Sequence, residues 1–510
     1  MAEISSENKR IAKNTILLYV RMIVLMLISF FTARITLNAL GVEDYGINNV
    51  VGGLVSLFSI FSNSMTAASS RFITYALGEG DDPKLNRIFS TTLNMHIILA
   101  LTIVVLIEIF GVWFLNNKMV IPNDRLEAAN WILQCSIIGF AVGLISIPYN
   151  ACIIAHERMS AFAYMTVLDG AFKFTIAFSI YYYAGDRLIL LAILGLLFTC
   201  INRSLYWIYC KKHFTECSYH WIWNSTLNKK IFNFSGWNFI GAGSGVLKDQ
   251  GVNILLNLFC GPAINAARGI AIQVNGIVTQ FVQNFMMALN PQITKSYAVA
   301  DFERTFDLVF RGSRFSFYLL LLLTLPIILE ADFILHVWLG IVPDYTVIFV
   351  RLILIYTLVE SLSFTMITLM LATGNIRNYQ IVVGGCQLLN FPISYIFLRI
   401  GFEPQITITT SIVIAILCLL LRFVMLKKMV DFPVRDFLYK VLLNIIVVTV
   451  VSIPLPLLVL HYIPDGVNRL FAVGIISVLS VAFAVYCIGC TSQERIFVNQ
   501  IIGKKLHASK

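Results

Sequence analysis

Charged residues are scarce in this chain. Only 13% of its 510 residues are Asp, Glu, Lys or Arg, while 58% are hydrophobic. A soluble protein carries about 25% charged residues, so a water-exposed globular fold is excluded. Long polar stretches are missing too. The longest segment between apolar runs, with the ninth helix allowed to begin near Phe306, is 211–233, whereas independent domains start at roughly 50 residues. Any activity must therefore reside in the apolar body, which argues against glycosyltransferases and ligases that need large catalytic loops. No GxxxxGK[ST] cradles nucleotide phosphates, and no HExxH offers metal ligands. Gly241, Gly243 and Gly245 suggest a phosphate loop only by composition. They lie inside an apolar run, where close helix packing explains them better. The expectation is a chain that is not an enzyme and uses no cofactor and no metal. Ten cysteines are present, mostly in apolar runs. Cys487 and Cys490 form a CxxC, but two cysteines alone do not make a zinc site, and no disulfide framework is evident.

What the sequence has in abundance is apolar runs of about 20 residues, the length a helix needs to cross a bilayer. Fourteen are expected, near 14–34, 46–67, 88–115, 128–148, 160–183, 188–210, 234–259, 263–288, 315–330, 346–372, 379–399, 405–427, 438–461 and 468–489. The fold class is thus an all-α polytopic membrane protein. The ninth run is the weakest, because Pro326 interrupts a short core; its helix is expected to begin earlier, near Phe306. The first run follows Lys9, Arg10 and Lys13 without a small-residue cleavage site, so it reads as a retained span. Lys and Arg concentrate in the segments that lie in the cytoplasm if the N-terminus does. This bias places both termini in the cytoplasm. It also accounts for most of the +10 net charge, so no nucleic-acid partner is inferred.

An internal repeat is visible at an offset of 220 residues. With 41–81 set over 261–301, Gly41 meets Gly261, Phe61 meets Phe281, Ala68 meets Ala288, Ile73 meets Ile293, Thr74 meets Thr294 and Asp81 meets Asp301. The hydropathy recurs in register as well. The repeat divides the chain into an N-lobe of six spans (1–210), an inter-lobe loop (211–233), a C-lobe of six spans (234–428), and spans thirteen and fourteen with a tail (429–510). Six is even, so the lobes share one orientation and are related by an axis along the membrane normal. Both repeats carry a polar stripe. In the second span it comprises Asn48, Gly52, Ser56, Ser59, Asn63, Thr66 and Ser70, spaced by four or three as on one helix face. In the eighth, Arg268, Gly276, Thr279, Gln283 and Asn290 fall at equivalent positions, widened by Asn265, Gln273, Asn275, Gln280 and Asn284. Such stripes avoid lipid. Helix–helix packing and a water-filled cavity are the two readings, and the many amides of the eighth span favour a cavity there.

Charges at mid-depth are costly, roughly 2.5–3.5 kcal/mol each on insertion scales. Arg21, Lys173, Arg203, Lys248 and Arg268 lie inside spans. Asp169 and Lys173 stand four apart on one helix face, which suits an ion pair. Lys248 and Asp249 are adjacent at the centre of the seventh span and point about 100° apart, so separate partners are expected. Glu360 is at the centre of the tenth. For Lys173 and Lys248 a structural ion pair and a place on a substrate path both remain open. The excess of bases suits an anionic ligand.

The stretch "LNALGVEDYGINNVVGGLVSLFSIFSNSM" and its counterpart "LNLFCGPAINAARGIAIQVNGIVTQFVQNFMMALNPQITKSY" carry a family resemblance. The LG-x-x-x-YG turn before span two and a long polar span eight ending near Asn-Pro resemble the polysaccharide-transporter branch of the multidrug/oligosaccharidyl-lipid/polysaccharide exporter superfamily. The resemblance covers essentially the whole chain. It implies two six-helix lobes in a V-shaped arrangement around a central cavity, alternating access, and two extra C-terminal helices. It implies a flippase for undecaprenyl-diphosphate-linked oligosaccharide repeat units of O-antigen, lipopolysaccharide, capsule or exopolysaccharide in a bacterial inner membrane. Partners would be the lipid-linked oligosaccharide, a coupling H⁺ or Na⁺, and a polymerase or other glycan-assembly proteins. Arg21, Lys173, Lys248 and Arg268 would attract the diphosphate. Asn48, Asn63, Asn275, Thr279 and Gln283 would bond sugar hydroxyls, and Asp169, Asp249 or Glu360 would carry a coupling ion. Related lipid II flippases often have an arginine in span two, where this chain has Asn48 and Asn49. The alternative is a cation-coupled multidrug exporter of the same superfamily, which usually has twelve spans and an acidic cavity.

Overall fold

The computed structural model describes residues 2–79, 82–156, 158–222, 225–298, 300–373, 377–492 and 494–496; side chains before Ile23 and at scattered later positions lie outside the description. Ala2–Ser56 is helical except at Gly41 (φ 81°, ψ 173°), which divides it into α1, residues 2–40, and the first part of α2. After an interruption at Leu57 and Phe58, α2 resumes as Ser59–Glu79. There follow α3 (Asp82–Asn117), α4 (Leu126–Ala155), α5 (Met159–Tyr182), α6 (Arg187–His213), α7 (Ser225–Cys260), α8 (Pro262–Ala298), α9 (Phe302–Leu329), α10 (Thr346–Ala372), α11 (Arg377–Ile400), α12 (Ile406–Val430), α13 (Val434–Tyr462) and α14 (Val467–Gly489). The fold is all-helical among the described residues, with one helix for each expected span. A short helix, Ala331–Leu339, follows α9.

The helices form because their apolar runs satisfy every backbone group internally, as lipid requires. Among the described residues, eleven runs are long and apolar enough to cross a membrane. The second part of α2, α7 and α8, which carry amides, glycines and charges and whose side chains are only partly described, are not among these. Ends are set by local chemistry. The Asp186 carboxylate accepts from the Leu188 and Ile189 amides (2.9 and 3.2 Å) and caps α6. Asp301 caps α9 in the same way, so α9 starts at Phe302 rather than near Phe306. The helix tolerates Pro326 and runs to Leu329. α8 does not stop at Asn290-Pro291 but continues to Ala298.

The chain divides into two compact units, residues 1–269 with 339–343, and residues 270–338 with 344–510. In the first unit α4 packs on α3, α6 and α2, α5 packs on the N-terminal run, and α7 packs on α2. Its core includes Val50, Val51, Leu54, Ile103, Ile107, Ile132 and Leu133. One end is tied by Arg125, which donates to Asp44 and Asp186 and so links α2, α4 and α6. In the second unit α10 packs on α9 and α12, and α14 packs on α9 and α13. Glu330 is buried and accepts two bonds from Arg469 (2.7 and 2.9 Å). Phe310, Phe423 and Phe432 surround Phe437 with ring centroids 5.2–5.9 Å away. The compact division falls inside α8, whereas the repeat divides the sequence at 211–233. The two measure different things: α7 is similar in sequence position to the first helix of a repeat, but its side chains pack against α2.

Candidate functional site

The polar residues of α2, α7 and α8 meet in a seam within the first unit. Close approach begins at Gly46, where a Cβ would stand 1.8 Å from the Pro262 carbonyl oxygen. One turn further, a Cβ on Gly269 would stand 1.6 Å from Asn49 Nδ2. Gly53 leaves room for Asn253 and Gln250, each 2.7 Å from where its Cβ would be. Amides fill this space. Asn253 Nδ2 donates to the Asn49 carbonyl (3.4 Å). Asn265 Nδ2 donates to both Asn253 oxygens (2.7 and 2.8 Å). Asn257 bonds the backbone of Val120 in both directions, accepting at 3.0 Å and donating at 3.2 Å.

Arg268 lies at the edge of this seam and is only 6% exposed. Its Nη2 donates to the Asp249 carbonyl oxygen (3.1 Å), and Asp249 is the acid whose field reaches it. Nε has no partner. A guanidinium has five N–H donors, so donors are left over in a place shielded from water. Such a group suits an oxyanion, because charge-assisted bonds strengthen at low dielectric. Lys248 is half-buried and Asp249 exposed on the same turn of α7.

The other expected residues are dispersed. Lys173 pairs with Asp169 (3.0 Å), and Asn202 donates to the same carboxylate (3.2 Å). Lys173 is nevertheless 67% exposed. Asn48 is half-buried and Asn63 exposed on α2. The hydroxyls of the α2 stripe bond their own helix: Ser56 to the Gly52 carbonyl (2.8 Å) and Thr66 to that of Ser62 (2.7 Å). Such back-bonding satisfies a hydroxyl without a cavity. The side chain of Arg21 lies outside the described residues.

In the second unit, Asn275 accepts from Thr357 (2.5 Å) and Asn290 from Thr368 (2.7 Å), so these amides join α8 to α10. Thr279 bonds the Asn275 carbonyl of its own helix (2.9 Å). Gly276, Gln280 and Gln283 remain exposed on one face of α8, and Glu360 is half-buried on α10. Part of the α8 stripe is thus packing glue and part is open. A cleft of about 730 Å³ at the start of α9 is lined by both signs of charge. Its Arg311–Asp307 and Lys440–Asp436 pairs (2.9 and 2.8 Å) neutralise much of it internally. Asn253 and Asn257 were not singled out from the sequence. Their signal was two amides one helical turn apart in an otherwise apolar run.

No family model matches the chain, and no curated protein matches it by sequence. Solved structures do. A multidrug resistance MATE family transporter of the MOP superfamily, inward-facing, aligns with TM-score 0.65 at 12% identity, covering 80% of this chain and 96% of that one. The lipid II flippase MurJ, in an inward closed conformation, aligns with TM-score 0.65 at 14% identity, covering 96% of this chain and all of that one. A MOP superfamily transporter from Pyrococcus furiosus, described for the reverse polarity of its binding pocket, gives TM-score 0.56 at 14% identity over 82% and 96%. The fold is that of the MOP-superfamily transporters. The flippase alignment leaves only a few per cent of this chain uncovered, so it must extend into the region beyond residue 428 that holds α13 and α14.

Proposed function

We propose that the chain is a flippase that moves a lipid-linked oligosaccharide diphosphate across a bacterial inner membrane by alternating access, with both termini in the cytoplasm. The observation that carries the reading is Arg268: a buried guanidinium with unused donors beside a seam of amides. A diphosphate is the substrate group that best uses it, since arginine bonds phosphate oxygens in pairs. Arg268 is enclosed here, so the diphosphate reaches it only after α2 or α8 moves. Arg21, Lys173 and Lys248 supply further positive charge. Gln280 and Gln283, with Asn48 and Asn63, offer bonds to sugar hydroxyls, while the lipid tail stays in the bilayer. Asp169, Asp249 or Glu360 carries the coupling proton or Na⁺. The lipid-linked substrate of the MurJ neighbour and its alignment over 96% of this chain support this assignment.

The competing reading is a cation-coupled multidrug exporter, which the MATE neighbours favour. The excess of basic residues at mid-depth, with Arg268 buried among them, weighs against it. The test is complementation of a deletion strain with wild type, Arg268→Ala or Lys248→Ala at matched membrane levels. Loss of surface polysaccharide in the deletion and in Arg268→Ala is expected. Intact polysaccharide in the deletion, with new sensitivity to cationic drugs, would move the exporter reading to the front.

A further inference from the structure

The first unit holds a second cluster of reactive side chains that the transport reading does not use. Cys152 sits on the last turn of α4, Cys210 on the last turn of α6, and Glu216 and Cys217 on the short turn Thr215–Cys217 that follows. The Cys152 and Cys217 sulfurs and a Glu216 carboxylate oxygen all lie within 4.8 Å of one another. The Cys210 thiol, which donates to the Tyr149 carbonyl (3.3 Å), lies in the same buried cluster. Cys152, Cys210, Cys217 and Glu216 are all buried. His156 Nε2 reaches Glu216 at 2.5 Å, and its ring stacks on Phe214 with centroids 4.2 Å apart.

Buried cysteines are ordinarily small apolar filler. Two thiols within 4.8 Å of a buried carboxylate, with Cys210 beside them, form instead a donor set suited to a thiophilic cation. We propose that Cys152, Cys210, Cys217 and Glu216 form a structural site for a thiophilic divalent cation, zinc being the expected occupant. Thiolate sulfurs on tetrahedral zinc lie roughly 3.8 Å apart, given Zn–S bonds of about 2.3 Å. The spacing of Cys152, Cys217 and Glu216 therefore needs only small side-chain rotations, and Cys210 would turn from the Tyr149 carbonyl to complete the set. The carboxylate disfavours copper(I), and four protein ligands leave no open position for catalysis. His156 is the outer partner that orients the ligating carboxylate.

The surroundings are built to hold the ligands still. Asn86 donates to the Glu216 and Ser218 carbonyls (2.9 and 2.8 Å), pinning the turn to α3. Phe89, Tyr149, Tyr206 and Phe214 close the apolar side. A bound ion would fasten the ends of α4 and α6 to the segment leading into α7. The basic-residue bias assigns this end to the cytoplasm, where thiols stay reduced and a converging set is read as a metal site before a disulfide.

The test uses the full chain purified in detergent. Its zinc content is measured by mass spectrometry, and Co²⁺ is then exchanged in as a spectroscopic probe. About one zinc per chain and an intense thiolate-to-cobalt charge-transfer band are expected. Both should vanish in Cys152→Ser and Cys217→Ser and persist in Cys487→Ser, an exposed cysteine outside the cluster. His156→Gln should keep the band but lose zinc to a chelator about 10–100-fold more readily. If the serine variants do not fold, the wild-type spectrum and His156→Gln decide the matter. Wild type without bound zinc or band overturns the proposal. So does a band that survives both serine variants, or alkylation and mass analysis revealing a disulfide among the three cysteines.

Discussion

Gly46→Ala is the sharpest perturbation of the α2–α8 seam. The added Cβ would stand 1.8 Å from the Pro262 carbonyl oxygen and 2.5 Å from its carbon. Cβ contacts below 3.0 Å essentially never occur, so the helices must separate by at least 3.0 − 1.8 = 1.2 Å. The obstacle is backbone, and no rotamer change can relieve it. The Asn253 bond, which ties α7 to the Asn49 carbonyl of α2, is already 3.4 Å long and breaks when α7 moves with α8, to which Asn265 binds it. Overpacking costs about 1–3 kcal/mol and a lost hydrogen bond about 1 kcal/mol, giving a total of about 2–4 kcal/mol. Gly52→Ala is the control. Its Cβ meets nothing within 4 Å, and Ala gains up to about 1 kcal/mol of helix propensity over Gly. Thermal unfolding in detergent, followed by size-exclusion profile, should rank Gly52→Ala at or above wild type and Gly46→Ala well below. Equal stability of the two variants would refute the close approach of α2 and α8.

Three further outcomes are expected. Arg469→Ala leaves Glu330 buried without its guanidinium partner, which costs about 3–5 kcal/mol; Glu330→Gln should cost less, because Arg469 keeps Asp465, and thermal melts compare them. Lys173→Ala leaves Asp169 its bond from Asn202, so a transport defect at normal protein levels and with an unchanged melt reports function rather than folding. Burial would raise the Asp186 carboxyl, but bonds from Arg125 and from the Ile189 and Leu188 amides hold it below its ordinary value. Its stabilising contribution is therefore complete above the ordinary Asp range and is lost as pH falls through the lowered folded value. Asp186→Asn should destabilise at neutral pH and converge with wild type in acid, in melts across a pH series.

The helices were legible because lipid enforces an unambiguous pattern: each run of about 20 apolar residues became one helix. Two positions matched by the repeat share local features. Gly41 and Gly261, paired by the offset of 220, both have a positive φ (81° and 82°) that favours glycine. Asn49 and Gly269, also equivalent under that offset, touch in the seam. Helix ends were less visible, because capping depends on a single side chain: Asp301 moved the start of α9 to Phe302. The division of the α8 stripe was not legible either. Periodicity identifies a polar face but not its neighbour, and Asn265 and Asn275 turned out to bond Asn253 and Thr357. The cysteine cluster escaped for a similar reason. Cys152 and Cys210 are 58 positions apart in sequence, and only the packing of α4 on α6 brings them together.

The central claim is that Arg268 serves an anionic headgroup. The most direct test is binding of undecaprenyl diphosphate and undecaprenyl alcohol to the purified chain by native mass spectrometry, in wild type and Arg268→Gln. The diphosphate should bind in preference to the alcohol, and Arg268→Gln should weaken it by about 10–100-fold, the loss of a charge-assisted bond of about 1.5–3 kcal/mol. Equal binding of both lipids, or undiminished diphosphate binding by Arg268→Gln, would contradict the account.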